Sequence, residues 1–307
     1  MMYRRWKQWL CSLLTGMALH AGANATTLRV AALNLEWFPG QRPMAEPDAM
    51  AAHLEATRAE IATLAPGLVI ATEVCDEAAL REALAAHPGL NLHMISAFSD
   101  RADDPQPDRP MRDQQIAIAS TLPAVAGWAE PWVSEIPEMR RGFAFAALEN
   151  PRSGHLIMVY GVHLKSNRSS TPDEELLNYT IRNESVDQLI AHMARMETQF
   201  ADRGIDGWIV AGDFNTNHDG TFGDRVISTL EANGFWNSWV NTPPAQRPTW
   251  KGRGPFGPGT LDYIMTRGFG LPDAQLVELP SSVSDHNAVI ADLTLPSSVD
   301  TPEPHPE

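Results

Sequence analysis

Cysteine is scarce in this chain: of 307 residues only Cys11 and Cys75 are cysteine. Cys11 falls in a leader-like segment, so once that segment is removed Cys75 stands alone, which excludes an intrachain disulfide and a Cys-rich zinc site. There is no His-Glu-x-x-His helix and no Gly-x-Ser-x-Gly elbow, which argues against a zincin and a serine hydrolase of that type. No internal repeat is visible. Positive charge is also short, with 23 Lys and Arg against 38 Asp and Glu and a formal net charge of −15. Such a balance opposes polyanions at long range, so a nucleic-acid partner requires a local basic patch that no run of Lys or Arg supplies.

The N-terminal residues have the pattern of an address label. Arg4, Arg5 and Lys7 precede an apolar stretch from Trp9 to Leu19, and Ala23-Asn24-Ala25 matches a small-residue cleavage site. The stretch is shorter than the roughly 20 residues that a spanning helix needs. The expectation is a signal peptide over residues 1–25, a periplasmic or secreted protein, and no membrane span after cleavage. Removal leaves 20 basic against 38 acidic residues, a formal charge of −18. Residues 26–295 are long enough for one large layered domain. The tail 296–307 has little to bury apart from Val299 and is expected to be disordered, and Arg101–Arg112, rich in Pro and Asp, has the composition of a linker.

Short runs rich in Val, Ile and Leu predict strands at Leu28–Leu33, Leu68–Thr72, Gln115–Ala119, Phe143–Leu148, Leu156–Val162, Trp208–Ala211, Leu261–Met265 and Ala288–Leu293. Helical spacing appears twice, in Met50, Leu54, Ile61 and Leu64 and in Val186, Leu189, Ile190, Met193, Met196 and Phe200. The fold class is therefore α/β. Polar residues able to do chemistry stand at the ends of these strands, where a side chain is held rigidly yet can face a cleft.

Gly212-Asp213-Phe214-Asn215 follows one strand, and on an extended backbone Asp213 and Asn215 point to the same side. An acid and an amide so placed can share a phosphate or an attacking water; the alternative is an ordinary Asp-Asn turn. In Leu261-Asp262-Tyr263-Ile264, Asp262 shares a face with apolar Ile264, and its burial calls for a partner such as a histidine N–H. Ser284-Asp285-His286 offers Asp285 toward a metal and His286, backed by Asp262, as a group that takes a proton from water. His163-Leu164-Lys165-Ser166 places three phosphate-oxygen donors at one strand end. Glu73 and Asn34 close two more strands, and oxygen ligands of this kind suit Mg2+, Mn2+ or Ca2+.

At these residues the sequence resembles the endonuclease/exonuclease/phosphatase superfamily, whose metal-dependent phosphoesterases include pancreatic-type deoxyribonucleases and abasic-site endonucleases. The segments occur in that family's order: Asn34-Leu35-Glu36, Glu73, Gln115-Ile116-Ala117-Ile118, His163-Leu164-Lys165-Ser166, Arg182 with Gln188, Gly212-Asp213-Phe214-Asn215, Thr249-Trp250, Leu261-Asp262-Tyr263-Ile264 and Ser284-Asp285-His286. The resemblance implies a four-layer α/β/β/α sandwich with the cleft at one end of two packed sheets. It implies a metal group of Asn34, Glu73 and Asp285, Asp213 and Asn215 orienting water and phosphate, a proton-handling pair of His286 and Asp262, and His163 at a phosphate or leaving-group position. Arg141, Lys165 and Trp250 are candidates for substrate contact, with Asp113 or Gln115 as the partner behind His163. The loop Gly252–Gly259 is either a cleft rim or a connecting hairpin.

The implied activity is hydrolysis of a phosphodiester with Mg2+, either His286 or Asp213 activating the water. His163-Leu164-Lys165-Ser166 resembles the matching segment of secreted bacterial nucleases, so DNA or RNA is the expected substrate and a monomer the expected state. Lipid and inositol-phosphate substrates, as in sphingomyelinase-like and inositol-phosphate phosphatase-like members, are the alternative. A non-catalytic binding module on the same fold predicts loss of the metal or proton-transfer residues, which here are retained.

Overall fold

The computed structural model describes residues 27–98, 113–136, 141–220 and 222–297. The expected signal peptide, the segment 101–112 and the tail from Ser298 onward lie outside the described residues. The elements in chain order are β1 (Thr27–Phe38), α1 (Pro47–Leu64), β2 (Leu68–Val74), α2 (Glu77–Leu84), β3 (Asn91–Ile95), β4 (Gln115–Ser120), β5 (Ala124–Pro131), β6 (Gly142–Glu149), β7 (Leu156–His163), α3 (Pro172–Gln199), β8 (Ile205–Asp213), α4 (Val226–Ala232), β9 (Trp236–Asn237), β10 (Asp262–Arg267), β11 (Ala274–Val277) and β12 (Ala288–Thr294). They form two six-stranded mixed sheets, ordered β11-β12-β1-β2-β4-β3 and β5-β6-β7-β8-β10-β9.

Alternation along the strands divides the interior into layers. In the first sheet Val30, Ala32, Leu68, Ile70, Ile116 and Ile118 belong to the core shared with the second sheet. Their neighbours Ala31, Leu33, Val69, Ala71, Ala117 and Ala119 pack instead with Ile61 and Leu64 of α1 and Leu80 and Leu84 of α2. A one-residue slip would exchange these two faces, so the register is firmly set. The second sheet carries α3 and α4 on its outer side through Ile181, Val186, Leu189, Met193 and Leu230. The result is the α/β/β/α sandwich expected from the family resemblance. The buried face of α1 is His53, Thr57, Ile61 and Leu64, with Met50 and Leu54 only half-buried beside it.

Small residues set how closely the sheets approach near one end. A Cβ on Gly161 would lie 2.7 Å from Ile116 Cγ2 and 3.2 Å from Ile70 Cγ2, so β7 and the opposing sheet meet there only because the side chain is absent. Polar side chains that follow in the same alternation, His163 after Gly161 and Asn34 after Val30 and Ala32, are thereby brought together between the sheets.

Topology explains why the chemistry-bearing residues meet. Each sheet contains one parallel pair, β1 with β2 and β7 with β8, and a parallel pair requires a crossover, here α1 and α3. The carboxyl ends of those four strands carry Asn34, Glu73, His163 and Asp213. Strands β10 and β12 run antiparallel to β8 and β1, so their amino-terminal ends, with Asp262 and the preceding Asp285 and His286, arrive at the same end of the molecule. Among the described residues no helix is long and apolar enough to cross a membrane.

Candidate active site

Strand register places His163, Asp213 and Asp262 side by side, since His163 pairs with Asp213 and Asp213 with Asp262. Asn34 reaches across from the other sheet, donating through Nδ2 to Asp213 Oδ2 at 3.0 Å and to Glu73 Oε1 at 3.1 Å. Its Oδ1 accepts the Glu36 N–H at 3.0 Å. With both ends of the amide engaged, Asn34 ties the two sheets together and fixes two carboxylates.

The carboxylates are presented by irregular backbone. Register shifts occur in β1 between Asn34 and Phe38 and in β2 between Ala71 and Val74. Glu36, Trp37, Glu73 and Asn215 all have positive φ, between 41° and 62°, a conformation uncommon for residues with a Cβ and held only where the surroundings dictate it. The bulges aim Glu36 and Glu73 into the cleft. Glu73 Oε2 accepts from the Trp37 N–H at 3.1 Å and from Gln114 Nε2 at 2.5 Å, while Glu36 Oε2 accepts the Asp285 N–H at 3.0 Å. Asp285 is oriented in turn by Trp250, whose indole N–H donates to Oδ2 at 3.1 Å.

Asn215 lies just past the end of β8 in left-handed backbone rather than on an extended strand, so the same-side alternation expected for Asp213 and Asn215 does not hold. A turn joins them instead, with the Asn215 N–H donating to Asp213 Oδ1 at 2.9 Å, and Asn215 Nδ2 donates to the Leu164 carbonyl at 3.0 Å. Gly212 makes this corner possible: at φ +130° a Cβ would sit 2.2 Å from the Val162 carbonyl oxygen.

His286 Nδ1 lies 2.7 Å from Asp262 Oδ2, and both groups are buried. Burial opposes charge on His286, yet the carboxylates of Asp262, Asp213 and Asp285 together outweigh it and raise its pKa to about 10. Asp213 is raised as well, toward the protonated and here neutral form, by burial and by the neighbouring Asp262. Burial pushes Glu73 up, with the Asn34 hydrogen bond opposing, and pushes Glu36 up together with repulsion from Asp285 and Glu73. His163 is held well below the usual histidine range by burial and by the charges of Arg141 and His286. Its Nε2 is 3.6 Å from Asp213 Oδ2, and its Nδ1 has no hydrogen-bond partner among the described residues. Neither Asp113 nor Gln115 therefore supplies that bond. Gln115 is taken up by Ser96, the Phe98 backbone and the Asp113 carbonyl.

These groups open onto a cleft of about 780 Å³ lined by Glu36, Glu73, Arg141, His163, Asp213, Asn215, Trp250, Asp285 and His286 among others. Arg141 donates to the Leu164 carbonyl at 2.9 Å and to Gln114 Oε1 at 2.9 Å. Asn34 and Asp262 stand behind the lining. Lys165 is not among the lining residues; its carbonyl accepts from Arg182, which pairs with Asp224 at 2.7 Å and fixes the loop after β7. Glu36 joins the site without having been given a role from sequence, although it sits inside the Asn34-Leu35-Glu36 segment. Its positive φ, which sends it toward Asp285, leaves no trace in a pattern of apolar residues.

The donor set suits a hard cation. Glu36, Glu73 and Asp285 supply oxygen atoms on one wall, and the upward shifts of the two glutamates reflect a wall that disfavours unneutralised charge; a divalent cation would relieve it. Ligand atoms of Glu73, His163 and Asp213 also lie within 4.8 Å of one another, as do those of Asp213, Asp262 and His286. The second group is already joined through the His286–Asp262 hydrogen bond, which leaves the Glu73 side as the better place for an ion.

The family model described as "Endonuclease/Exonuclease/phosphatase family" matches residues 32–286. A search among curated proteins finds no matching relative. Among solved structures, an endonuclease/exonuclease/phosphatase from Bacteroides vulgatus is similar at 14% identity and a TM-score of 0.63, over 89% of this chain and 100% of that one. Another from Beutenbergia cavernae is 20% identical, with a TM-score of 0.61 over 88% and 72% of the two chains. TDP2 from C. elegans is 15% identical, with a TM-score of 0.59 over 89% and 76%. At these identities the structural likeness concerns the fold.

Proposed function

The chain belongs to the endonuclease/exonuclease/phosphatase family, whose members are metal-dependent phosphoesterases, and from that premise we propose that it is an exported, magnesium-dependent phosphodiesterase acting on nucleic acid. The observation that carries the chemistry is the convergence of Glu36, Glu73, Asp213, Asp285 and His286 from both sheets on one cleft. Glu73 and Asp285, with Glu36 beside them, would hold a divalent cation, which would supply neutralisation of the charge that develops on the phosphate. Asp213, fixed by Asn34 and by the Asn215 N–H, receives the proton of the attacking water. His286, kept protonated by Asp262, donates from Nε2 to a phosphoryl oxygen. His163, next to Glu73 and Asp213, and Arg141, linked to Glu73 through Gln114, line the cleft as donors for the phosphate or the leaving group. Of the two bases left open by the sequence, this assigns the water to Asp213.

A nucleic-acid substrate is supported by the resemblance of His163-Leu164-Lys165-Ser166 to secreted nucleases and by arginines on the cleft, Arg42, Arg141, Arg168 and Arg253, in an otherwise acidic protein. The test is the mature protein with Mg2+ against plasmid DNA, RNA, sphingomyelin, inositol phosphates and bis-p-nitrophenyl phosphate. Cleavage of DNA or RNA is expected. Cleavage of lipid without nucleic acid would overturn the substrate and keep the chemistry. In Glu73→Gln the Mg2+ concentration for half-maximal activity is expected to rise by at least the roughly tenfold that loss of even an outer-shell partner costs; an unchanged requirement removes Glu73 from the metal group. Export predicts that protein recovered from the periplasm or medium begins at Thr26.

A further inference from the structure

Beside the catalytic floor, the Gly/Pro-rich loop is both a hairpin and a rim. Trp250 and Gly259 exchange backbone hydrogen bonds of 2.9 and 3.1 Å, and Arg253 and Phe256 exchange bonds of 3.0 and 3.2 Å around a two-residue turn. Gly254, at φ +60°, occupies the first turn position, where that sign is needed. The base is pinned to the site: the Lys251 N–H donates to the Asp285 carbonyl at 3.0 Å, and its Nζ donates to the Leu279 and Ser284 carbonyls at 2.7 and 2.6 Å. The tip is nevertheless apolar and open, with Phe256 62% exposed while lining the cleft.

Charge around this tip differs from charge elsewhere. On the rest of the surface Arg29, Arg81, Arg195, Arg225 and Arg267 each meet a carboxylate within 3.2 Å. Arg42, Arg168 and Arg253 line the cleft, and among the described residues none of them pairs with a carboxylate. Cations left without partners beside a solvent-facing aromatic ring match a ligand that alternates anionic groups with flat apolar faces. An unpaired nucleic-acid strand has that chemistry, whereas in a duplex the base faces are covered by stacking.

We propose that the hairpin tip is a stacking platform for an unpaired base next to the scissile phosphate, with Arg42, Arg168 and Arg253 as contacts for the flanking phosphates. The preferred substrate is then single-stranded. This deepens the nuclease reading and rests on it. Because the hairpin is tied to Asp285 and, through Trp250, to its carboxylate, a base seated on Phe256 fixes the position of the neighbouring phosphate over the floor.

The test measures cleavage of one oligonucleotide as a single strand and as a duplex, with bis-p-nitrophenyl phosphate alongside. Phe256→Ala is expected to raise KM for the single strand about tenfold, as loss of one base–aromatic stack does, with the change falling on KM rather than kcat. Phe256→Trp is expected to retain the wild-type KM. Exposed Leu271, beyond the far end of β10, serves as a control in Leu271→Ala. Arg168→Ala and Arg253→Ala are each expected to flatten the dependence of log KM on log salt by about 0.7. An unchanged single-strand KM in Phe256→Ala, or an equal effect on the duplex, overturns the stacking platform. Hydrolysis of the small diester by the wild type with neither oligonucleotide cleaved overturns the nuclease reading, and the stacking platform with it.

Discussion

Each end of the sandwich holds a histidine–aspartate pair. At the site end His286 meets Asp262 at 2.7 Å, and at the other end His155 meets Asp206 at 3.0 Å. The surroundings differ. Asp206 is saturated, since it also accepts from Asn150 Nδ2 at 2.5 Å and from the Ser153 hydroxyl, and Asn150 in turn donates to the Pro296 carbonyl at 2.8 Å. That cluster closes the turn between β6 and β7 and anchors the chain just after β12. Among the described residues Asp262 leaves Oδ1 without a partner, and His286 faces the cleft. Residue type does not distinguish the two ends; unspent hydrogen-bonding capacity aimed at a common space does. The largest expected contrast follows: His286→Ala, by removing a donor to the charged phosphoryl oxygen, should lower kcat at least about a hundredfold, while His155→Ala should leave it within about twofold. Comparable losses in the two variants would erase the distinction.

The same comparison predicts the opposite ranking for stability at the far end. The Asp206 side chain is only 6% exposed, and removing it in Asp206→Ala strands the donors of Asn150, Ser153 and His155, a loss of about 1–3 kcal/mol. Urea denaturation should record that loss while kcat per folded molecule stays at the wild-type value. A fall in kcat together with stability would mean that the two ends are coupled through the strands.

What could be read in the sequence follows burial. All eight strands predicted from apolar runs are present, and each lies inside its sheet. The four that were missed, β3, β5, β9 and β11, are the four sheet edges. An edge strand is half-covered, as the mixed exposure along Ala124–Pro131 shows, and its apolar signal weakens accordingly. Short helices α2 and α4 escaped for a related reason, as each contributes only three buried residues. In the site, residues standing at the ends of interior strands were legible because strand prediction places them. Glu36 and the turn at Asn215 were not, because bulges and left-handed backbone decide where they point. Of the cleft arginines, Arg141 and Arg253 were legible from their neighbours in sequence, whereas Arg42 and Arg168 join them from separate loops with no run of charge.

The site end has its own clamp, and it responds to pH. His53 on α1 is buried; its Nδ1 accepts the Gly40 N–H at 2.8 Å, so its Nε2 carries the proton and donates to the Val283 carbonyl at 2.7 Å. These bonds hold the loop after Glu36 against the segment leading to Asp285 and His286. Burial lowers the folded-state pKa of His53, with the Val283 hydrogen bond opposing, and protonating Nδ1 would forfeit the Gly40 bond. The unfolded chain therefore binds a proton that the folded chain refuses, in the window from the ordinary histidine value of roughly 6.5 down to the lowered one. Stability from this group is complete above that window and falls as pH drops through it, by at most about 1.4 kcal/mol per pH unit. His53→Leu can make neither bond and does not titrate, so it should lower stability at neutral pH and remove this share of the acid sensitivity. Urea midpoints for both proteins from pH 7.5 to 5 give the measurement, and parallel curves would show that His53 contributes none of the slope.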